Sequence, residues 1–135
     1  MKPKQQKAPA VVLGSLSYVI LYVKDVLKVV PFYRDTLGMK VKGEVNEWWT
    51  ELDAGACTLA LHKSEAAPPT SKEAPTPVFN VADIRAAQAA LKACGVKASE
   101  PHQVCDDGDK VGLSSDFQDP EGNRLSIFGL VKKGS

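Results

Sequence analysis

The sequence has little excess charge, no long hydrophobic run and no close pair of cysteines. Seventeen Lys and Arg against 16 Asp and Glu leave a formal net charge of +1, so no strong field favours nucleic acid or anionic lipid as a partner. The apolar stretch over 11–23 is interrupted by glycine and serine and is too short for a membrane span. Three widely spaced cysteines without a CxxC motif indicate free thiols in a reducing compartment. We therefore expect a cytoplasmic protein with no nucleic-acid or membrane partner.

The chain divides by composition into two folded modules and three polar segments. Its 135 residues match one ordinary domain, which can bury a core without disulfides or metal. Residues 1–13 are rich in lysine, glutamine and proline and are predicted to be a disordered basic tail. Residues 63–76 contain several prolines among small polar residues and are predicted to be a linker. The modules are expected over 14–62 and 77–131, and 132–135 form a second tail.

The first module is predicted to contain a strand, a helix and three further strands. The β-branched and aromatic stretch over 16–23 favours a strand, and Asp25 follows as a helix N-cap. Apolar residues at helical spacing predict a helix over 26–37, which Pro31 either kinks or divides into two segments. Gly38 suits the left-handed residue that ends a helix. The three strands that follow are expected at 39–41, 48–52 and 58–62.

The second module repeats this order, and the repetition indicates an α+β fold of two βαβββ modules. A strand at 78–81 leads to Asp83 as N-cap and to an alanine-rich helix that Gly95 closes. Proline, glycine and asparagine over 119–123 predict a tight turn. The remaining expectations are a strand at 96–98, an exposed loop or hairpin at 102–110, and strands at 111–118 and 124–130.

Two stretches of the sequence resemble a known family. YVILYVKDVLKVVPFYRDTLGMKV over 18–41 is similar to the opening module of vicinal-oxygen-chelate proteins, and FQDPEGNRLSIFG over 117–129 resembles their closing turn and strand. The resemblance covers roughly residues 14–131. It implies that the two modules form a curved mixed-sheet cleft with helices on the outer face, and that the protein is a homodimer. The family includes isomerases, dioxygenases and drug-binding proteins, so the fold alone does not decide the function.

The resemblance also places the four positions at which metal-using relatives carry a ligand. These positions correspond to Tyr18, Ala60, Thr76 and Ser126. Divalent metals prefer imidazole, carboxylate or thiolate donors, and alanine has no donor atom. A two-residue slip in the alignment brings in His62, with Asn80 or Tyr22, but still supplies no three-ligand set. We therefore expect no metal and no cofactor.

Alternation along the strands assigns other side chains to the cleft. If Leu52 packs on the helices, Trp48 packs with it and Trp49 faces the cleft. Aromatic walls suit planar or cationic small molecules, although these rings could instead fill the core or a dimer interface. Arg124 could clamp a carboxylate, and Glu51 is the other charged residue placed to orient a ligand. The predicted ligand-binding residues are Tyr18, Tyr22, Trp49, Glu51, His62, Asn80, Arg124, Ser126 and Phe128.

The sequence supports three hypotheses for function. The first is a metal-independent protein that binds a small aromatic or amphipathic molecule in a cleft. The second is a metal-dependent lyase, isomerase or dioxygenase that recruits its metal through His62. The third is a ligand sensor, for which 135 residues leave no room for a DNA-binding partner domain. No catalytic residue is assigned.

Overall fold

The computed structural model describes residues 10–66 and 73–134, which form two four-stranded mixed sheets. Within each sheet only the first and last strands of the module pair in parallel. The α+β class and the duplicated βαβββ order are confirmed. The N-terminal module contains β1 (Tyr18–Val23), α1 (Val26–Pro31), a π-helical turn (Phe32–Thr36), β2 (Val41–Lys42), β3 (Trp49–Asp53) and β4 (Thr58–Lys63). Its sheet has the strand order β1-β4-β3-β2. The C-terminal module contains β5 (Val78–Asn80), α2 (Ile84–Ala93), β6 (His102–Asp107), β7 (Lys110–Gln118) and β8 (Arg124–Lys132). Its sheet has the strand order β5-β8-β7-β6.

Both helices begin at the predicted N-caps. The Asp25 carboxylate accepts a 3.2 Å hydrogen bond from the Lys28 amide, and Asp83 accepts one of 3.0 Å from Ala86. These bonds satisfy amide groups that have no partner inside the helix. The structure supports the division into two segments at Pro31. α1 ends there, and the second segment is a π-helical turn rather than an α-helix.

The core lies between the helices and one face of each sheet. Leu21 and Val23 are buried, whereas Tyr18 and Tyr22 are 48% and 47% exposed. The alternation along β1 therefore agrees with the predicted parity, and β3 alternates in the same way. In β4 the residues on both faces are buried from Thr58 to Leu61. The main buried side chains of the core are Val26, Val29, Val30, Tyr33, Leu52, Leu59, Leu61, Ile84, Leu113, Phe117, Leu125 and Ile127.

The tight turn over 119–123 connects the two modules through hydrogen bonds. The Tyr33 hydroxyl donates to Asp119 in a buried hydrogen bond. The Glu121 carboxylate accepts hydrogen bonds of 2.6 and 2.9 Å from the backbone amides of residues 24 and 25. The turn of the second module therefore holds the point where β1 of the first module leads into α1.

The prediction of a strand at 96–98 was wrong. The residues after Gly95 complete the end of α2 instead, since the Val96 amide donates a 3.0 Å hydrogen bond to the Leu91 carbonyl. Their backbone groups are therefore not free to form a strand ladder. The fourth strand of the C-terminal sheet is β6, whose six residues are all exposed, and the hairpin alternative for 102–110 was the correct one.

Several expectations concern segments that the structure describes only in part. Residues 1–9 of the predicted tail and 67–72 of the predicted linker lie outside the described residues. Among the residues that are described, no helix is long and apolar enough to cross a membrane. The three cysteines are free thiols, as the sequence predicted.

Candidate functional site

An aromatic cluster of Tyr18, Tyr22, Trp49 and His62 covers the open face of the N-terminal sheet. The ring centroids of Tyr18 and Trp49 are 6.0 Å apart, those of Trp49 and His62 5.8 Å, and those of Tyr22 and His62 5.3 Å. His62 pairs with Tyr22 on one side and with Trp49 on the other, so the rings are cross-strand neighbours on one face. Because both tyrosines are about half exposed, their ring surfaces are accessible to a ligand.

Glu51 adds a negative charge beside the aromatic cluster. The indole Nε1 of Trp49 donates a 3.1 Å hydrogen bond to Glu51 Oε2, and this bond orients the ring on its strand. Lys42, the cross-strand neighbour of Glu51 in β2, donates instead to Thr58 Oγ1 at 2.8 Å. A carboxylate next to π faces makes this surface suited to a planar aromatic molecule that carries positive charge.

The ring of His62 is oriented by the backbone. Its Nδ1 lies 2.6 Å from the Lys63 carbonyl oxygen. Because a carbonyl can only accept a hydrogen bond, this contact favours the tautomer with the proton on Nδ1 and leaves Nε2 as an acceptor. His62 therefore presents a fixed ring edge to the same face as Tyr22 and Trp49.

The open face of the C-terminal sheet carries a polar arrangement instead. The Ser126 hydroxyl donates a short hydrogen bond to the Asp116 carboxylate, whose second oxygen lies 3.9 Å from His102 Nε2. Phe128 pairs with Asn80 on this sheet, and no contact of its ring with another aromatic ring is found among the described residues. The structure therefore joins Tyr18, Tyr22, Trp49 and His62 in one cluster but leaves Phe128, Ser126 and Asn80 on the other sheet.

A seam cavity of about 510 Å³ lies between β1 and the segment 74–79. Its described walls are mainly apolar, and Arg124 is the charged side chain found among them. The Arg124 Nε is buried and has no hydrogen-bond partner in the described part of the chain. Nearby, Asn123 Nδ2 donates a 3.3 Å hydrogen bond to the Tyr22 carbonyl and ties β8 to β1.

Trp48 does not pack in the core as the parity argument predicted. Strand β3 begins only at Trp49, so Trp48 precedes the alternating segment and is 60% exposed. Its ring lies 4.2 Å from the Lys63 Nζ. The neighbouring Thr50 and Leu52 are fully buried, as the same parity argument requires.

The positions of the usual metal ligands do not fit a divalent metal. Ala60 has no donor and is fully buried, the Ser126 hydroxyl is bonded to Asp116, and the Thr76 hydroxyl donates to the Ala74 carbonyl at 3.0 Å. Tyr18 belongs to the aromatic cluster. Within the described ranges, no three His, Cys, Asp or Glu side chains gather closely enough to hold a metal ion.

Sequence reasoning missed two parts of this region. Asp116 was not recognised although its strand was predicted, because its position opposite Ser126 was not considered. His102 was not assigned to a site because the segment 102–110 was left open between an exposed loop and a hairpin. A signal was available in the repeat: Asp116 pairs with Ser126 as Glu51 pairs with Ala60, so the two acidic residues occupy matching places in the two modules. The seam cavity was missed because it depends on how the modules pack.

The comparisons with known proteins agree with this architecture. A family model described as the Glyoxalase/Bleomycin resistance protein/Dioxygenase superfamily matches residues 15–127. TnmS3, an antibiotic binding protein from Streptomyces sp. CB03234, is 21% identical over 90% of this chain and 99% of that chain, with a TM-score of 0.70.

Two further solved structures have the same shape. Lactoylglutathione lyase from Agrobacterium tumefaciens is 17% identical over 91% of this chain and 96% of that chain, with a TM-score of 0.66. An integron cassette protein from the mobile metagenome of V. cholerae is 22% identical over 88% of this chain and 97% of that chain, with a TM-score of 0.67. At these identities the likeness shows the fold alone. Among curated proteins, none matches the sequence at a significant level.

Proposed function

The chain belongs to the glyoxalase, bleomycin resistance protein and dioxygenase superfamily, and we propose that it is a metal-independent protein that binds a small aromatic or amphipathic molecule. The observation that carries the proposal is the aromatic cluster, whose accessible rings lie beside the Glu51 carboxylate. TnmS3 is an antibiotic binding protein of the same fold, and this resemblance supports the same class of function here.

The physical basis of binding is stacking together with charge. A flat ligand can lie against Tyr18 and Trp49, where burial of apolar area contributes roughly 25 cal/mol per Å². A positive charge over an indole or phenol ring contributes about 0.5–2 kcal/mol more, and Glu51 strengthens the attraction. We therefore favour a planar aromatic cation as the ligand class of the aromatic cluster.

The same residues argue against a metal-dependent enzyme. A metal would need donors on several strands, and Ala60 supplies none at the centre of the N-terminal face. His62 and the Glu51 carboxylate are the strong ligand types described on this face, two where a metal site usually has three or more, and the side chains that contact His62 are rings. The lyase, isomerase or dioxygenase alternative is supported by no comparable contact. The homodimer and the cytoplasmic location stay predictions.

The proposal is tested by titrating the protein with proflavine, a planar aromatic cation. Replacing Trp49→Ala removes the largest ring of the cluster and is expected to weaken binding about tenfold, which corresponds to ~1.4 kcal/mol. Trp48→Ala is the matched control, since Trp48 lies outside the cluster and its ring faces Lys63. That control is expected to change the affinity less than about twofold.

Two further experiments test whether charge or a metal ion contributes to binding in addition to stacking. Glu51→Gln is expected to weaken proflavine binding but not the binding of phenazine, a neutral ring system of similar shape. Adding nickel or zinc is expected to leave the proflavine affinity unchanged. Equal losses in the Trp48 and Trp49 variants, or binding that requires metal, would show that the aromatic cluster is not the binding site.

A further inference from the structure

The seam cavity has a different chemistry from the aromatic cluster. Apolar side chains from both modules form most of its walls, among them Leu16, Val19, Leu21, Val78 and Phe79. Its volume of about 510 Å³ is within the range of roughly 300–1,000 Å³ that drug-sized ligands occupy. Leu16 and Val78 are 65% and 58% exposed, so apolar surface at the rim of the cavity is accessible to a ligand.

Among the residues that the structure describes, Arg124 is the one charged side chain on these walls. Its Nε is shielded from solvent without a hydrogen-bond partner, and within residues 10–66 and 73–134 no carboxylate forms an ion pair with the guanidinium. A donor on a charged group that is shielded from solvent without a partner is unfavourable, because it has lost its hydration and gained no hydrogen bond. An anion in the cavity would satisfy it.

From this arrangement we infer that the seam cavity binds an amphipathic monocarboxylate, with the carboxylate on Arg124 and the hydrocarbon portion against β1 and Phe79. The planar guanidinium offers Nε and one terminal nitrogen to a carboxylate in a two-point hydrogen bond. A single cation matches a single negative charge, whereas a phosphate monoester brings a charge of about −1.5 to −2. The apolar walls require a ligand whose remainder is hydrocarbon.

This site goes beyond the proposed function and does not depend on it. The cavity shares Tyr22 with the aromatic cluster, but its charge is of the opposite sign and its ligand needs no aromatic ring. The two modules meet along the cavity, so binding there also joins β1 to the segment 74–79.

The test is isothermal titration calorimetry with three amphiphiles that have alkyl chains of similar length and different head groups: decanoate, decan-1-ol and decyltrimethylammonium. The wild type is expected to bind decanoate at least tenfold more tightly than the alcohol and to reject the cation. Arg124→Gln is expected to remove the preference for decanoate over decan-1-ol, and Arg124→Lys to restore part of it. Lys42→Gln is the matched control, since Lys42 is a cation that lies outside the cavity and bonds to Thr58, and it should leave decanoate binding unchanged.

A second variant tests the cavity itself without touching its charge. Val78→Trp places a large ring at the rim and is expected to abolish decanoate binding. Thermal unfolding of each variant without ligand establishes that it is folded. The inference is overturned if wild-type protein does not bind decanoate, if decan-1-ol or the ammonium probe binds as tightly, or if folded Arg124→Gln protein still binds decanoate at least tenfold more tightly than decan-1-ol.

Discussion

The hydroxyl of Tyr33 donates a 2.7 Å hydrogen bond to Oδ2 of Asp119 and joins the helical segment of the first module to the β7–β8 turn of the second. Tyr33 is fully buried and Asp119 is 5% exposed. The other carboxylate oxygen of Asp119 accepts 2.9 Å hydrogen bonds from the backbone amides of Glu121 and Asn123. One buried carboxylate therefore organises the tight turn and binds it to the other module.

Replacing Tyr33→Phe should lower the free energy of unfolding by about 1–3 kcal/mol, because a buried charged acceptor loses a donor and retains its desolvation cost. Urea denaturation measures this change directly. Tyr22→Phe is the matched control, since the Tyr22 ring is half exposed, and its effect should stay below about 0.5 kcal/mol. Equal effects of the two substitutions would mean that the bond to Asp119 adds nothing to stability.

The same residue predicts how stability depends on alkaline pH. Burial, followed by the charge of Asp119 and the hydrogen bond to it, raises the pKa of Tyr33 far above its ordinary value. Above about pH 10 the unfolded chain releases the tyrosine proton while the folded protein keeps it. The stabilisation is therefore complete below pH 10 and is lost as pH rises further.

The expected loss is about 1.4 kcal/mol per pH unit above pH 10 for this one group. Because other tyrosines and lysines also titrate there, the quantity to measure is the difference between wild type and Tyr33→Phe in unfolding free energy at pH 9, 10 and 11. We expect the free energy by which the wild type is more stable than Tyr33→Phe to decrease from pH 9 to pH 11. A difference that stays constant would contradict the assigned cause.

Gly112 makes room for the ring of Phe128 on the C-terminal sheet. A Cβ at this position would lie 2.7 Å from Phe128 Cε1 and also meet the Cys105 sulfur. Gly112→Ala should therefore displace the ring and cost about 1–3 kcal/mol of stability, measured by denaturant titration. Gly14→Ala, where no atom lies within 4 Å of an added Cβ, should be neutral, and a neutral Gly112→Ala would mean that the ring moves freely.

Local patterns in the sequence predicted most of the fold. Asp25 and Asp83 were expected as N-caps, and both form the predicted bonds. Alternation also assigned Leu21 and Val23 to the core correctly. These successes share a cause, since caps, turns and strand parity depend on residues within a few positions of each other.

The errors arose where distant parts of the chain decide the outcome. Strand β6 is exposed along its whole length and exists because β7 supplies hydrogen-bond partners, so its own residues carry little strand signal. Trp48 follows the expected parity only if the strand includes it, and the strand begins one residue later. The position of Phe128 relative to Tyr18 depends on how the two sheets pack, which strand parity does not give, and a pocket shared by these two rings stays a prediction.

By itself, the sequence determined the duplicated module, the residue at which each helix begins and most of the core-facing residues, because backbone dihedrals and side-chain alternation are local properties. Only the tertiary structure decided that Tyr33 meets Asp119 across 86 positions of sequence. It also decided that the Tyr22 and Trp49 rings meet at His62 and that, in the described part of the chain, the Arg124 Nε has no hydrogen-bond partner beside an apolar cavity. These relations depend on how two modules pack, and packing is set by the shape and chemistry of surfaces that no short stretch of sequence contains.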